Sequence, residues 1–238
     1  MSLATLFSPW ASFYRPPLFA LLPVDDPGLG ELYHHLPYHL QPVDLLASAR
    51  TILIYFLPFP PEVIAANRQQ PDTAPLWAEY YVRTNQVIGQ FNQAIAHWLE
   101  QAGYHAAWQP ATHNFDEKTL TAPWSHKSLA VAAGLAVFGR HQQAITAAGC
   151  AGRFGSLVTD APPDWLSTQL PPAPPPEPCL DCGYCWRVCP VGALTATGLD
   201  KQKCYSRLLE VAARFTHLGL CDVCGKCSVG PCAAWEKE

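Results

Sequence analysis

The chain has 238 residues, a net charge of −4, 49% hydrophobic residues and only 14% charged residues. This length allows one sizeable core and a small second domain. The negative charge argues against nucleic acid as a partner, because nonspecific binding to phosphates needs a basic surface. The longest apolar stretch, 51–59, is too short to span a bilayer, and no secretory signal pattern opens the chain, so we expect a cytoplasmic protein without a membrane span.

The first part of the chain predicts a mixed α and β domain. Residues 1–42 are rich in Pro, Tyr and His without a clear period, which suggests an arm that wraps around the domain. A short helix is predicted at 43–49, and the continuous apolar run 51–59 predicts a fully buried central strand. Apolar residues at steps of three to four predict the longest helix at 76–102, which Gly103 ends.

Three further elements precede a proline-rich segment. We predict a strand at 105–111, a helix at 125–135 that a serine caps, and a strand at 154–159. The prolines that follow form a stiff connector, which cannot continue a helix or a central strand. The predicted organisation is therefore an α/β domain, a linker and a small cysteine-rich domain, at 1–170, 171–178 and 179–238 respectively.

The cysteines of the small domain indicate iron–sulfur chemistry. Cys179, Cys182, Cys185 and Cys189, followed by a proline, have the spacing in which three thiolates bind one 4Fe-4S cluster and the fourth binds another. Two clusters are therefore expected. Zinc prefers pairs of cysteines or mixed sets with histidine, and a disulfide framework suits short secreted chains, so both fit this spacing less well.

The remaining cluster ligands lie downstream and are separated by a helix predicted at 205–220. We predict that the second cluster is held by Cys189, Cys204, Cys221 and Cys224. The first cluster needs one more ligand, for which Cys227 and Cys232 are both candidates. Cys232 is favoured because its longer reach suits a return to the first cluster. Such clusters transfer one electron at a time and therefore need a redox partner.

Three segments give the chain a family resemblance. The segment 48–56 resembles the first core strand of the epoxyqueuosine reductases, 128–141 resembles their Ala-rich helix and glycine loop, and 153–160 resembles the next strand. The isolated Cys204, which precedes a helix and the next C-x-x-C, is similar as well. Over about residues 49–233 the chain thus resembles the epoxyqueuosine reductases, which are related to the reductive dehalogenases.

The resemblance implies an α+β fold, with a nitroreductase-like α/β domain followed by a ferredoxin-like domain that binds two 4Fe-4S clusters. It also implies a cobalamin in the first domain, which the clusters supply with single electrons from a low-potential donor such as a ferredoxin or flavodoxin. We therefore expect an oxidoreductase that depends on a corrinoid or reduces one. The implied cofactor-binding residues are Gly134, Leu135, Gly139, Arg140, His141, Phe154 and Gly155.

Three departures from the family argue against epoxyqueuosine reduction itself. Leu120 stands where the family has an acidic residue proposed as proton donor, and the nearby Asp116 and Glu117 are expected to be surface charges. The loop after Gly134 has lost a glycine and the tryptophan of the family pattern. The sequence also lacks the C-terminal helical repeats that help the family to engage transfer RNA.

Two other functions stay open on the sequence. The chain could be an electron-transfer protein that serves a protein partner without a corrinoid, or a non-catalytic protein that binds a corrinoid or another tetrapyrrole. His126 and His141 could ligate cobalt or relay a proton, although hydrogen-bonded histidines are more common. Cys150 lies outside both cysteine runs and is expected to be a small packed residue.

Overall fold

The computed structural model describes residues 3–111 and 115–235. Its strands are β1 (Leu18–Pro23), β2 (Thr51–Pro58), β3 (Ala106–Ala107), β4 (Val137–Phe138), β5 (Ala144–Ile145), β6 (Gly152–Thr159), β7 (Leu194–Thr195) and β8 (Gly198–Leu199). Its α-helices are α1 (Leu3–Leu6), α2 (Pro27–His35), α3 (Pro42–Leu45), α4 (Pro61–Gln69), α5 (Pro75–Gln101), α6 (His126–Ala132), α7 (Pro163–Ser167), α8 (Tyr184–Arg187) and α9 (Lys201–Arg214). Short 3-10 helices occupy Ser8–Phe13, Thr216–Leu218 and Lys226–Ser228. The fold is a mixture of α and β structure, as the sequence predicts.

The main sheet is antiparallel and has the strand order β1-β2-β6-β3. In its interior, Leu53 of β2 lies opposite Leu21 of β1 and opposite Leu157 of β6. All 8 residues of β2 are buried, which suits an uninterrupted run of apolar and β-branched residues. The buried strand predicted at 51–59 and the strand predicted at 154–159 are therefore confirmed.

Helices cover both faces of this sheet. Tyr55 of β2 points toward α5, where the Phe91 ring centroid lies 5.0 Å from that of Tyr55. The preceding residue, Ile54, packs with Leu29 of α2 and Leu129 of α6 in a second core cluster. Because successive strand residues point to opposite faces, β2 contributes to both cores.

The long helix α5 is confirmed at Pro75–Gln101, against a predicted range of 76–102. Gly103 follows it with a φ of +85°, which glycine adopts without a clash. Helix α6 begins as predicted, because the Ser125 hydroxyl accepts a hydrogen bond from the Ser128 N–H at 3.3 Å. Neither α5 nor another helix of the described residues is both long and apolar enough to cross a membrane.

The prediction of a wrapping arm at 1–42 is wrong. The described part of this segment contains β1, which is an edge strand of the main sheet, and α2, whose Leu29 and Leu32 are buried. Prolines lie at or near both ends of β1, and 6 residues are too few for a clear alternating pattern. Pairing with β2, rather than local periodicity, makes this segment a strand.

Two shorter elements have different boundaries from those predicted. The strand predicted at 105–111 is reduced to Ala106–Ala107, because only these residues pair with β6. The short helix predicted at 43–49 spans Pro42–Leu45. Both segments lie near prolines, which limit the backbone hydrogen bonds that a strand or a helix can form.

The helix predicted at 205–220 begins and ends earlier, as α9 at Lys201–Arg214. Its first residue follows Asp200, whose carboxylate accepts a hydrogen bond from the Lys203 N–H at 2.9 Å. An aspartate at this position stabilises a helix start. Cys204 therefore lies in the first turn of the helix and not before it.

The cysteine-rich segment packs on the same core as the sheet. Val229 and Ala233 are fully buried in the cluster on the α5 side of the sheet. Arg68 of α4 donates from Nε to the Val229 carbonyl at 2.6 Å, and the Ala151 N–H donates to the Ala233 carbonyl at 3.0 Å. The domain boundary at 171–178 stays a prediction, while these contacts anchor the segment that follows it.

Gly149 provides a test of this anchoring. Its φ is +92°, and a Cβ added there would lie 2.3 Å from the Ala233 carbonyl oxygen. We expect Gly149→Ala to lower the free energy of unfolding by about 3 kcal/mol, from backbone strain and overpacking together. Gly134→Ala is the matched control, since its φ is +69° but the space around its Cβ is open, and strain alone is worth about 1 kcal/mol. Urea denaturation under anaerobic conditions measures both, and equal losses would contradict the expectation.

Candidate functional site

Cysteines from the first run and from the chain's last segment line a small cavity. They are Cys179, Cys182, Cys185, Cys227 and Cys232. We call this the first cysteine cavity; its volume is about 20 Å³. Asp181 in the run forms a bidentate ion pair with Arg140, at 2.8 and 3.1 Å. This exposed pair connects the run to the loop between β4 and β5, and the run and Cys232 line the same cavity.

A second group of cysteines lines a larger cavity of about 300 Å³, the second cysteine cavity. Its cysteines are Cys189, Cys204, Cys224 and Cys227. Cys204 is positioned by the capped first turn of α9. The Ala193 N–H donates to the Cys189 sulfur at 3.2 Å. The structure thus brings one cysteine of the first run together with three distant ones.

Cys221 lies apart from the second cysteine cavity. Its Sγ is 3.9 Å from the Ala78 carbonyl of α5, and the residue packs with Val211 and Phe215. Burial between α5 and α9 turns this side chain away from the other thiols. The placement differs from the predicted second-cluster set, because Cys227 rather than Cys221 joins Cys189, Cys204 and Cys224.

The thiols of the second cavity are buried polar groups that fit a thiophilic metal. Burial raises the pKa of Cys204 to about 11 and that of Cys227 to about 12. A metal that binds thiolates must displace these protons and then offsets the desolvation of the charged sulfurs. The donor set, four thiols around one space, is the set that 4Fe-4S clusters use.

Two nitrogen donors of the second cavity also fit a sulfur-rich group. Trp77 Nε1 and Arg207 Nε are buried without a hydrogen-bond partner in the described parts of the chain, and both residues line the cavity. A buried N–H without an acceptor costs about 1–3 kcal/mol. Cluster sulfides and cysteine thiolates are acceptors of the kind that these N–H groups lack.

A cleft of about 400 Å³ adjoins the second cysteine cavity, and both are lined by Gln143, Gly152 and Arg153. The rings of Trp124 and Phe154 form part of its wall. It continues into an outer cavity of about 800 Å³ that shares Ser125 and Lys127 with it. The cysteines and the open space for a large ligand are therefore neighbours.

Two cations, neither of which forms an ion pair with a carboxylate of the described residues, give this cleft a positive character. The Lys127 Nζ donates to the Gln142 carbonyl at 2.9 Å, and burial lowers the pKa of Lys127. The Arg153 guanidinium donates to the Ala111 carbonyl at 3.1 Å and lies 4.3 Å from the centroid of the Tyr81 ring. No Asp or Glu of the described residues lines the cleft, so it suits a ligand with an anionic group.

His126 is a buried, hydrogen-bonded histidine. Its Nδ1 lies 2.7 Å from Ser156 Oγ, which accepts a hydrogen bond from Trp124 Nε1 at 3.0 Å. Its Nε2 lies 3.4 Å from the Pro110 carbonyl. Burial lowers the pKa of His126 to about 4, so the ring is neutral at pH 7. Both ring nitrogens are already engaged within the protein.

His141 and Cys150 lie on either side of Cys232. His141 Nε2 is 3.4 Å from Cys232 Sγ, and Cys150 Sγ is 3.9 Å from the same sulfur. Gly139 leaves room for the imidazole, since a Cβ there would lie 2.7 Å from Cε1 of His141. Gly139 therefore leaves space for the His141 ring, and Cys150 also lines the cleft. No spacing in the sequence indicates this grouping.

The other predicted cofactor-binding residues are mostly not in the cleft. Phe154 lines it. Gly134 ends α6 with a φ of +69°, Leu135 is 1% exposed in the core between the sheet and α6, and Gly155 packs directly on the Tyr55 ring. In the structure Gly134 lies at a helix end, while Leu135 and Gly155 pack in the core, and their role at a cofactor stays a prediction.

The described structure includes Leu120, which stands where the epoxyqueuosine reductases have an acidic residue, and the nearby Asp116 and Glu117. Leu120 lines the outer cavity with a φ of +53°. The Asp116 carboxylate accepts hydrogen bonds from the N–H groups of Lys118 and Thr119, at 3.0 and 2.7 Å. The bonds from Thr119 and Lys118 lower the pKa of Asp116, so this exposed carboxylate stays ionised at neutral pH. Asp116 and Glu117 are surface residues, as predicted.

Comparison with protein families defines the class of the protein. The 4Fe-4S binding domain family matches residues 175–195, which include the first run of cysteines. This match indicates that the segment binds a 4Fe-4S cluster. A search of curated proteins gave no match.

Solved structures of epoxyqueuosine reductases share the fold. The Streptococcus thermophilus enzyme is 16% identical with a TM-score of 0.53, over 87% of this chain and 57% of its own. A selenomethionine-labelled epoxyqueuosine reductase is 18% identical with a TM-score of 0.56, over 98% of this chain and 66% of its own. The Bacillus subtilis enzyme is 18% identical with a TM-score of 0.53, over 86% of this chain and 56% of its own. The chain therefore spans less than two thirds of each of these structures. It has the fold of the epoxyqueuosine reductases, which confirms at the level of the fold the resemblance found in the sequence.

The neutral, buried His126 predicts a defined dependence of stability on pH. Its pKa of about 4 in the folded protein lies below the ordinary 6.5, so the unfolded chain binds the extra proton between these values. We expect the contribution of the neutral His126 to the free energy of unfolding to be complete above pH 6.5 and to decrease by about 3 kcal/mol as the pH falls to 4. His126→Asn keeps a partner for Ser156 without titrating. Urea denaturation across this range should show the stability difference between the two proteins changing with pH, whereas parallel profiles would refute the assignment.

Proposed function

We propose that the protein binds two 4Fe-4S clusters, one at each cysteine cavity. The first is held by Cys179, Cys182, Cys185 and Cys232. The second is held by Cys189, Cys204, Cys224 and Cys227. The shared lining of each cavity by thiols supports this assignment, as do the unpartnered N–H groups of Trp77 and Arg207. When bound, such clusters supply one-electron transfer.

The proposal extends to the organisation of the chain. The cysteine segment at 179–238 corresponds to a ferredoxin-like domain, and 1–170 to a nitroreductase-like α/β domain, joined by the linker 171–178. The crossing of Cys189 into the second cavity supports a two-cluster, ferredoxin-like pattern, because that pattern requires the fourth cysteine of a run to leave its own cluster. The large domain positions both cavities through Arg68, Ala151 and their carbonyl partners.

We infer that the cleft and the outer cavity hold a cobalamin-type cofactor. Their volumes of about 400 and 800 Å³ together exceed the pockets of drug-sized ligands, about 300–1,000 Å³. Trp124 and Phe154 offer apolar rings, and Lys127 and Arg153 offer charge to an anionic group. The observation that carries the proposal is that Gln143, Gly152 and Arg153 line both the cleft and the second cysteine cavity.

In this function the cofactor supplies the reactive metal centre, and the protein supplies binding, orientation and electrostatics. Arg153 is held by the Ala111 carbonyl and the Tyr81 ring, so its charge is fixed at the junction of the cleft and the cysteines. Ser156, His126 and Trp124 form a buried hydrogen-bonded set that keeps this wall rigid. The reaction is the delivery of single electrons to the bound cofactor.

The electrons come in our proposal from a low-potential donor such as a ferredoxin or a flavodoxin. Cys182 is exposed, and the neighbouring Leu180 is 53% exposed. An apolar side chain on the surface beside a proposed cluster ligand suits a small electron-carrier protein, which needs a short path to the cluster. The first cysteine cavity would therefore be the entry side.

The ligand set is tested by a matched pair of cysteine variants. Cys227→Ser removes a donor from the second cavity, and we expect it to lose roughly half of about eight irons per chain. Cys221→Ser changes a thiol that packs between helices, and we expect its iron content to equal that of the wild type. Iron and sulfide are counted after anaerobic reconstitution. The reverse pattern, with loss only in Cys221→Ser, would restore the ligand set predicted from sequence.

The cofactor is tested by titrating reconstituted protein with cobalamin under anaerobic conditions. We expect one cobalamin per chain and a shifted corrin absorption band. Ala122 lines the cleft, and Ala122→Trp fills that space, so we expect at least about tenfold weaker binding, a loss of roughly 1.4 kcal/mol. Its iron content should be unchanged. If the wild type has full iron content but shows no spectral change with cobalamin, the proposal of a bound corrinoid is refuted. Electron transfer to a protein partner is then the remaining function.

A further inference from the structure

The hydrogen bonds around His141 determine which of its ring nitrogens carries a proton. The Gln143 N–H donates to Nδ1 at 3.1 Å. A ring nitrogen that accepts a hydrogen bond has no proton of its own, so the proton of the neutral ring is on Nε2. Nε2 lies 3.4 Å from Cys232 Sγ. The imidazole is therefore an N–H donor to this sulfur.

Cys150 approaches the same sulfur from another direction. Its backbone N–H donates to the Cys232 carbonyl at 2.9 Å, and its Sγ lies 3.9 Å from Cys232 Sγ. The Cys150 Sγ also lies 3.7 Å from the Ser228 carbonyl. The Cys232 sulfur is thus flanked by the His141 N–H and by the Cys150 thiol, whose single proton has two acceptors within reach, this sulfur and the Ser228 carbonyl.

This environment is buried and specific to the first cysteine cavity. His141 is 2% exposed and Cys232 is 9% exposed, so water does not compete with these donors. The second cavity has different donors, Trp77 and Arg207. The hydrogen bonds to the two proposed clusters therefore come from separate residues and can be changed one at a time.

We propose that His141, assisted by Cys150, is a positioning residue that raises the reduction potential of the first cluster through hydrogen bonds to the Cys232 sulfur. The proposal rests on the assignment of Cys232 as a ligand under the proposed function. Reduction adds one electron to a cluster, and N–H and S–H donors at a ligand sulfur stabilise the added negative charge. Removing the donors makes reduction of this cluster less favourable and leaves the other cluster unchanged.

The test compares His141→Leu with His141→Gln. Leucine removes the donor, whereas the glutamine amide keeps both an acceptor for the Gln143 N–H and a donor for the sulfur. Redox titrations followed by electron paramagnetic resonance should show one signal moving to a more negative potential in His141→Leu and close to its wild-type position in His141→Gln. The signal that moves should be the one that Cys182→Ser abolishes.

Cys150→Ala and Cys150→Ser form a second pair, which keeps the test valid if His141→Leu fails to retain iron. Serine keeps a hydroxyl donor, so we expect the negative shift in Cys150→Ala to exceed that in Cys150→Ser. Unchanged potentials in His141→Leu and Cys150→Ala, with full iron content, would overturn the proposal. Cys232→Ser tests the premise that Cys232 is a cluster ligand. Full iron content and an unshifted signal in this variant would overturn that assignment as well.

Discussion

Two parallel backbone hydrogen bonds tie the end of the cysteine segment to the start of β6, and the site depends on them. The N–H groups of Cys150 and Ala151 donate to the carbonyls of Cys232 and Ala233, at 2.9 and 3.0 Å. Buried backbone groups must find partners, so this pairing is strongly specified. It fixes one thiol of the first cysteine cavity relative to the main sheet, and the cleft is bounded by the same stretch of chain.

The electrostatics of the site follow from that close approach. Thiols that are buried beside one another resist ionisation, as the raised pKa values of Cys204 and Cys227 show. Helix α5 and the loop between β4 and β5 contribute N–H donors, from Trp77 and His141, that line the cysteine cavities. Residues that precede the proline-rich segment thus line the cysteine cavities directly and do not only support them. A separate cysteine domain would lack Trp77, His141 and Cys150.

How much could be predicted depended on whether the information was local. The first cysteine run and the strand at 51–59 follow from spacing and from a continuous apolar stretch, so both could be read directly. The sequence could not indicate which of Cys221 and Cys227 lines the second cysteine cavity, because that depends on where α9 packs against α5. The contact of Cys150 with Cys232 joins residues that are 82 positions apart. Such a contact produces no periodic pattern in the sequence.

The position of Cys189 has a mechanical consequence for the two cysteine cavities. It follows Cys185 by four residues, yet the two side chains line different cavities. One short stretch of backbone, which includes the end of α8, therefore links the two spaces. We expect a displacement that opens the first cavity to move a wall of the second. The two halves of the site should form and come apart as a single cooperative unit.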